Sequence, residues 1–293
     1  MKNLILAGVS AVALAACGAP ESTEPELSVP APPPAEAPAE AAVEEASAAT
    51  LKLYTFDCGK IEISDIGLFA NDGSYDGQTD TYSDGCFVIQ HAEGTLLWDL
   101  GLPSALVGQE PNTNGVFTVS VETALSDQIA AAGIETLDYV SISHMHFDHT
   151  GQPEAAGGAI WLVHETELAA MQAAEDTDYS AFFEMERETF TGDHDVFGDG
   201  SVKILEMPGH TPGHTALLVD LENAGPVLLT GDLYHREESR EGQKVPVFNT
   251  DADETLASMA KFEALAEELG ARVIIQHKPA DLDALPQPPL ALD

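Results

Sequence analysis

Residues 143–151 read Ser-His-Met-His-Phe-Asp-His-Thr-Gly and place three imidazoles and one carboxylate between His144 and His149. The whole chain of 293 residues has ten histidines. Three of them in so short a stretch would arise by chance about once in a thousand sequences. An apolar alternating run over 137–143 comes directly before it and predicts a buried strand. The sequence therefore predicts a metal site at the end of a strand.

The spacing within this stretch also predicts which way the side chains point. In an extended chain the period of two places His144, His146 and Asp148 on one side. His149 then points to another side, so that one short segment can supply ligands to two neighbouring ions.

The N-terminus predicts export. Lys2 is followed by an apolar run over 4–16 that is too short to span a bilayer. The run ends in Leu14-Ala15-Ala16-Cys17, which resembles the lipobox of bacterial lipoprotein signal peptides. The resemblance implies a signal peptide over 1–17 and a lipid anchor on Cys17, in the bacterial outer membrane, facing the periplasm or cell surface. An ordinary secretory signal is the alternative.

Residues 18–50 are predicted to form a disordered tether, because they are rich in Pro, Ala and Glu and contain no Lys or Arg. Residues 51–293 are long enough for one compact catalytic domain with a sizeable core.

Net charge excludes one class of partner. The chain has 50 acidic and 11 basic residues and a formal charge of -39, which argues against nucleic acid and disfavours a polyanionic substrate. Cys58 and Cys86 are the remaining thiols besides Cys17. In an oxidising compartment they would form a disulfide, and two independent buried thiols are the alternative.

Periodicity and turn residues predict the order of elements. Strands are predicted over two parts of 51–63 and over 86–89, 95–99, 160–163, 202–207, 216–220, 227–230 and 272–276. Helices are predicted over 120–132, 165–174, 179–190 and 251–269, and a polar loop over 71–85. The later His and Asp signals follow the carboxyl ends of strands, where open sheets collect their sites.

Four motifs in this order resemble the metallo-β-lactamase superfamily. They are His144-Met-His146-Phe-Asp148-His149, Gly-His-Thr-Pro-Gly-His214, Gly231-Asp232 and the late His277. The segment 99–101 also fits the family's early Asp-x-Gly. The resemblance implies an α/β fold, the four-layer αβ/βα sandwich of two mixed sheets flanked by helices.

The resemblance implies two divalent metal ions. His144, His146 and His214 would hold the first ion. Asp148, His149 and His277 would hold the second, with the carboxylate of Asp232 between them. Such N and O ligands suit zinc, and iron, manganese or cobalt are alternatives. His210 would be a supporting or turn residue, and Asp99 would orient a ligating histidine.

Within the superfamily, the spacing most resembles the N-acyl homoserine lactonase branch, including the segment Leu228-Leu229-Thr230-Gly231-Asp232. These lactonases usually carry a Tyr three residues after the bridging Asp. This chain has His235 at that position and Tyr234 just before it. The resemblance implies a hydrolase that opens the lactone ring of N-acyl homoserine lactones with a metal-bridging hydroxide.

The same resemblance suggests further roles. Asp148 would shuttle a proton, and Tyr234 or His235 would hold the developing oxyanion. An acyl chain needs an apolar groove, for which three aromatic side chains are candidates: Phe69, Phe117 and Phe147.

Two other readings of the sequence stay open. The first is another exported hydrolase of the same fold, either a β-lactamase or a phosphotriesterase-like enzyme that hydrolyses organophosphates. Asp232 argues against a β-lactamase, because β-lactamases of this fold usually lack a carboxylate there. The second is a non-enzymatic metal-binding lipoprotein, which a ligand set with open positions disfavours.

Overall fold

A computed structural model describes residues 51–293, and eight of its strands form the first sheet. They are β1 (Lys52–Ile63), β2 (Asp80–His91), β3 (Gly94–Trp98), β4 (Asn112–Asn114), β5 (Phe117–Ser120), β6 (Tyr139–Ser141), β7 (Ile160–His164) and β8 (Arg187–Phe190). Their order is β4-β5-β1-β2-β3-β6-β7-β8. The pairs β3–β6, β6–β7 and β7–β8 are parallel and the others antiparallel, so the sheet is mixed.

The second sheet has five strands. They are β9 (His194–Asp195), β10 (Val202–Glu206), β11 (Thr215–Leu221), β12 (Gly225–Leu229) and β13 (Arg272–Ile274). Their order is β13-β12-β11-β10-β9, with only the β12–β13 pair parallel. This sheet is therefore mixed as well.

Six α-helices accompany the sheets in the described chain. They are α1 (Leu125–Ala131), α2 (Glu165–Ala173), α3 (Ser180–Phe183), α4 (Glu237–Gly242), α5 (Ala252–Leu269) and α6 (Pro279–Asp283). The long helix α5 begins where Asp251 accepts the backbone N–H of Glu254 at 2.9 Å. It ends at Gly270, whose left-handed conformation closes the last turn.

Three apolar layers separate the elements, which gives the predicted αβ/βα sandwich. Side chains from both sheets meet in the central layer, among them Phe87, Trp98, Ile204 and Leu217. A second layer packs the outer face of the first sheet against α1, α2 and α3. A third packs the outer face of the second sheet against α5, through residues such as Phe262.

Cys58 and Cys86 form a disulfide between β1 and β2, with their Cα atoms 5.8 Å apart. Cys58 lies in a bulge of β1, where the register shifts between Asp57 and Gly59. Gly101 passes close by, since a Cβ atom there would lie 2.3 Å from the Cβ of Cys58. Of the two alternatives for the thiols, the structure therefore has the disulfide.

Some predicted boundaries were wrong. The two short strands over 51–63 are one strand that continues through the bulge. Residues 80–85 belong to β2 because they pair with β1, so the polar loop is shorter than predicted. The helix over 120–132 is confined to α1. The helix over 179–190 is wrong in its second half, since β8 pairs with β7 there.

The predicted signal peptide, tether and lipid-bearing Cys17 lie outside the described residues. None of the helices between residues 51 and 293 has the length and apolar character needed to cross a membrane.

Candidate dinuclear metal centre

Loops from both sheets meet at one end of the sandwich. The first sheet supplies residues 144–149 directly after β6. The second sheet supplies the loop between β10 and β11, then Asp232 after β12 and His277 after β13. Each of these groups follows the carboxyl end of a strand, as the sequence predicted.

Three histidines converge in a first group. His144 Nε2 lies 2.9 Å from His146 Nδ1, and His210 Nε2 lies 3.0 Å from the same atom. Asp232 Oδ2 completes the group at 3.5 Å from His144 Nε2 and 3.4 Å from His210 Nε2. Together these residues offer four donor atoms within 4.8 Å of one another.

A second group lies beside the first. His149 Nε2 and His277 Nε2 are 3.3 Å apart. The carboxylate of Asp148 lies 4.0 Å from His149 Nε2 and 3.8 Å from His277 Nε2. Asp232 Oδ1 faces the same pair at 3.2 Å from His149 Nε2 and 2.9 Å from His277 Nε2.

Asp232 therefore presents one carboxylate oxygen to each group. It follows β12 in a short turn and is 3% exposed. Its backbone N–H is held at 2.9 Å by His214 Nε2, and Oδ2 lies 3.0 Å from His235 Nε2. This places Asp232 between two clusters of nitrogen ligands, where a bridging carboxylate would have to be.

The course of the chain over residues 144–149 differs from the predicted extended one. The chain does not stay extended after Ser143, because the His149 N–H donates to the His146 carbonyl at 3.1 Å in a turn. The turn places Asp148 with His149 in the second group, as the family resemblance implied, and not on the side of His144 and His146, as an extended chain would. One segment does supply both groups, as predicted.

The two histidines of the second motif make different contacts in the structure. His210, predicted to be a supporting residue, lies in the first group. His214, predicted to be a ligand, has both ring nitrogens turned to the backbone. Its Nδ1 lies 2.9 Å from the Met207 carbonyl, and its Nε2 accepts the Asp232 N–H. His210 is thus a candidate ligand that the sequence did not predict, and the ligand role predicted for His214, whose ring lies 5.4 Å from that of His144, stays a prediction.

Hydrogen bonds to the far ring nitrogen orient most of these imidazoles. Asp99 Oδ2 lies 3.0 Å from His149 Nδ1, which agrees with the orienting role predicted for Asp99. The Ser83 carbonyl accepts from His277 Nδ1 at 2.8 Å, and Asn249 Oδ1 lies 2.8 Å from His210 Nδ1. Each contact turns an Nε2 atom towards the centre of its group.

Burial and neighbouring charges set different protonation states in the two groups. Burial lowers the pKa of His144, and it lowers that of His146 to about 3, so both are neutral at pH 7. Burial also acts to lower the pKa of His277, but the carboxylates of Asp232 and Asp148 outweigh it and raise that pKa to about 9. The pKa of His149 is raised for the same reason, by Asp232 and Asp99.

The donor set fits divalent metal ions. Every converging atom is an imidazole nitrogen or a carboxylate oxygen, the ligand types that zinc takes in proteins. Asp232 Oδ1 is buried but makes no hydrogen bond of good geometry with any residue between 51 and 293. His149 Nε2 and His277 Nε2 face this oxygen at 3.2 and 2.9 Å, and a cation held by the same two rings would take the place of their protons beside it.

An apolar cavity of about 390 Å³ opens beside the two groups. The three aromatic candidates Phe69, Phe117 and Phe147 all line it. So do residues that the sequence did not single out: Ile61, Ile63, Leu68, Tyr82, Val247 and Phe248. Asp148, Asp232 and His277 form its polar end.

The two candidates for holding an oxyanion are placed differently. His235 lines the cavity, and its ring packs on Phe69 with centroids 4.8 Å apart. Tyr234 points the other way into the core, where its ring lies 5.9 Å from that of Phe262. The prediction for Tyr234 is corrected, because consecutive residues of an extended chain face opposite sides.

Sequence reasoning missed two buried side chains that hold the site together. Gln276 donates to Asp99 at 2.7 Å and accepts the Gly231 N–H at 2.9 Å. Glu167 accepts backbone N–H groups from both histidine loops. Neither belongs to a motif, and the only available signal was position, since Gln276 immediately precedes His277.

Comparison with known proteins shows the family to which the chain belongs. The model of the metallo-beta-lactamase superfamily matches residues 85–277, so the chain belongs to that superfamily. An N-acyl homoserine lactonase from Bacillus sp is 30% identical over 204 residues, which cover 66% of this chain and 77% of the relative. One from Azorhizobium caulinodans is 31% identical over 216 residues, with 66% and 81% covered. The crystal structure of a quorum-quenching N-acyl homoserine lactone lactonase superposes with a TM-score of 0.72 at 25% identity, covering 83% of this chain and 98% of that one.

Proposed function

We propose that this protein is a dinuclear metal-dependent hydrolase that opens the lactone ring of N-acyl homoserine lactones, an activity that quenches quorum sensing. The observation that carries the proposal is the position of Asp232, with Oδ2 facing the first group of histidines and Oδ1 facing the second. The 30% and 31% identity to N-acyl homoserine lactonases supports the choice of substrate.

Two zinc ions are the proposed occupants. The first ion would be held by His144, His146 and His210. The second would be held by Asp148, His149 and His277. Asp232 would contribute a carboxylate oxygen to each ion. Two such ions would lower the pKa of a shared water towards ~7 and polarise the lactone carbonyl. Iron, manganese and cobalt accept the same N and O donors, so metal analysis has to identify the native ion.

Asp148 is the proposed proton shuttle. It lines the cavity and is 8% exposed, so its carboxylate can reach both a bound substrate and the second group. A carboxylate in this position can take a proton from the nucleophile and pass it to the leaving alkoxide.

His235 is proposed to hold Asp232 rather than the oxyanion. Burial lowers its pKa, so the ring is neutral at pH 7 and has one N–H. Its Nε2 lies 3.0 Å from Asp232 Oδ2, and a carboxylate can only accept, so the N–H belongs on that nitrogen. No second N–H is left to donate to the substrate.

The apolar cavity is proposed to bind the acyl chain. Its lining by Phe69, Phe117 and Phe147 would bury methylene groups at about 0.8 kcal/mol each. The polar end of the cavity, at Asp148, Asp232 and His277, would then receive the lactone ring.

Export and membrane anchoring are part of the proposal. A signal peptide over 1–17, a lipid on Cys17 and a tether over 18–50 would hold the catalytic domain near the outer membrane. The support is the lipobox-like segment 14–17 and the Pro, Ala and Glu content of the tether. Mass spectrometry of membrane-extracted protein would detect the lipid on Cys17.

The substrate proposal is tested by following ring opening of hexanoyl and decanoyl homoserine lactone in a pH-stat with the zinc-loaded protein. Nitrocefin and an aryl phosphotriester serve as parallel substrates. Fast lactone turnover with little turnover of the other two supports the proposal. Turnover of nitrocefin or the phosphotriester without that of lactone would contradict it in favour of the corresponding hydrolase.

A further inference from the structure

The carboxylate of Glu167 joins two loops that carry metal-site histidines. Its Oε1 accepts the backbone N–H of Met145 at 2.7 Å, and its Oε2 accepts the N–H of Gly213 at 2.8 Å. The side chain lies in the first turn of α2, and Glu167 is 2% exposed. A buried carboxylate is costly unless it is hydrogen-bonded, and here both oxygens have donors.

The two donors belong to different sheets. Met145 lies between His144 and His146, in the loop that follows β6 of the first sheet. Gly213 lies three residues after His210, in the loop between β10 and β11 of the second sheet. The Glu167 carboxylate therefore connects the loops that bring together the three histidines of the first group.

The contact leaves little room for adjustment. A Cβ atom at position 213 would lie 2.3 Å from the backbone nitrogen of Glu167, so this loop rests directly on α2. The Thr215 N–H donates to the Ser143 carbonyl at 2.8 Å and aligns the same two chains further along. The loops are thus fixed at two points, one of which is a side chain that can be changed.

We propose that Glu167 is a positioning residue that sets the distance between the His144–His146 loop and the His210 loop, and thereby the affinity of the first group for its ion. The inference rests on the proposed function only in requiring that the first group binds a metal. It does not depend on the substrate. Glu167 bonds to neither Asp148, His149 nor His277, so the second group should respond much less.

Glu167→Gln tests the proposal with almost no change in volume. The new NH₂ group would face a backbone N–H in place of the oxygen that now accepts it, so one loop must move away. Glu165→Gln is the matched control, because Glu165 lies two residues earlier in α2 and is exposed. It makes the same change in charge without touching either loop.

Two measurements on the full-length protein do not involve lactone turnover. The first is zinc affinity by competition with a chelator, with imidazole NMR signals of His210 and His277 reporting which group has lost its ion. The second is hydrogen exchange of the Met145 and Gly213 amides in the metal-free protein, which a general loss of stability would not raise selectively.

We expect Glu167→Gln to lower the zinc affinity of the first group by about 10- to 100-fold. Removal of groups that orient metal ligands has an effect of this size in other proteins. The second ion should bind nearly as in the wild type, and exchange should rise at the Met145 and Gly213 amides. Glu165→Gln should match the wild type in both measurements. Unchanged zinc affinity in Glu167→Gln would overturn the proposal, and so would an equal loss of affinity at both groups with unchanged exchange.

A wild-type protein that binds no zinc would overturn the proposed function as well, whereas one that binds zinc but opens no lactone would overturn only the proposed substrate.

Discussion

His214 Nε2 accepts the backbone N–H of Asp232 at 2.9 Å. The same ring uses Nδ1 to reach the Met207 carbonyl at 2.9 Å, so both of its nitrogens are engaged by the backbone. A Cβ atom at Gly231 would lie 2.7 Å from His214 Nε2, which shows how closely the Asp232 turn packs on the ring. His214 thus fixes the backbone of the residue that faces both groups of histidines, and its ring lies 5.4 Å from that of His144.

We expect His210→Ala and His214→Ala to differ in metal content. His210→Ala removes a donor atom of the first group, so the protein should bind one zinc firmly instead of two. His214→Ala keeps every donor atom but leaves the Asp232 N–H unsatisfied, so it should keep two ions and lose about 1–3 kcal/mol of stability. Elemental analysis after dialysis, together with thermal unfolding, checks both variants. The assignment would be wrong if His214→Ala were the variant that loses an ion.

Metal binding should release protons at neutral pH. His277 has a pKa of about 9 and that of His149 is raised, so both rings are protonated at pH 7 in the metal-free protein. A ligating imidazole must be neutral, so zinc has to displace these protons. Affinity at the second group should therefore rise with pH from pH 7 at least up to about 9, the pKa of His277, by up to ~10-fold per pH unit for each proton released. Calorimetry in buffers of different ionisation enthalpy counts the protons, and a count of zero would contradict the account.

Truncating the cavity wall should affect long acyl chains most. Phe117→Ala removes an aromatic ring that lines the cavity without touching the histidine groups. We expect about a tenfold loss of kcat/KM for decanoyl homoserine lactone, equivalent to roughly 1.4 kcal/mol, and a smaller loss for the butanoyl substrate. Phe183→Ala, at an exposed phenylalanine of α3 outside the cavity, is the control. Equal losses for both substrates would argue against acyl binding at this wall.

The disulfide should contribute substantially to stability. Cys58 and Cys86 are separated by 28 positions, and closing a loop of that length is worth about 3–4 kcal/mol in the chain-entropy treatment. Cys58→Ala/Cys86→Ala should therefore unfold at clearly lower denaturant concentration than the oxidised protein. The reduced wild-type protein is the control and should behave like the double variant. No difference between oxidised and reduced protein would contradict this expectation.

Local sequence signals predicted the strands correctly where a short apolar run stops at a recognisable loop. The sequence placed β10, β11 and β12 almost correctly, because their apolar runs stop at recognisable loops. It failed over 179–190, where Arg187–Phe190 is a strand only because it pairs with β7. Pairing with a distant strand leaves no periodic pattern in four residues.

The candidate site was predictable in composition but not in detail. Spacing identified the loop that contains both His210 and His214, yet the histidines four residues apart look alike in sequence. What separates them is the Met207 carbonyl and the Asp232 N–H, which reach His214 only after β10, β11 and β12 have packed together. The same holds for Tyr234, whose direction depends on the core around Phe262.

The most direct test of the central claim is hydrolysis of decanoyl homoserine lactone by the zinc-loaded wild type and by Asp232→Asn, with zinc counted in the same samples. Asparagine keeps the shape of the side chain but has only one oxygen to offer, so it cannot serve both groups. The account predicts two zinc ions and fast ring opening in the wild type. The variant should hold fewer ions and be slower by at least about 100-fold. Undiminished lactone turnover in Asp232→Asn, or a wild type that turns over lactone without bound metal, would contradict it.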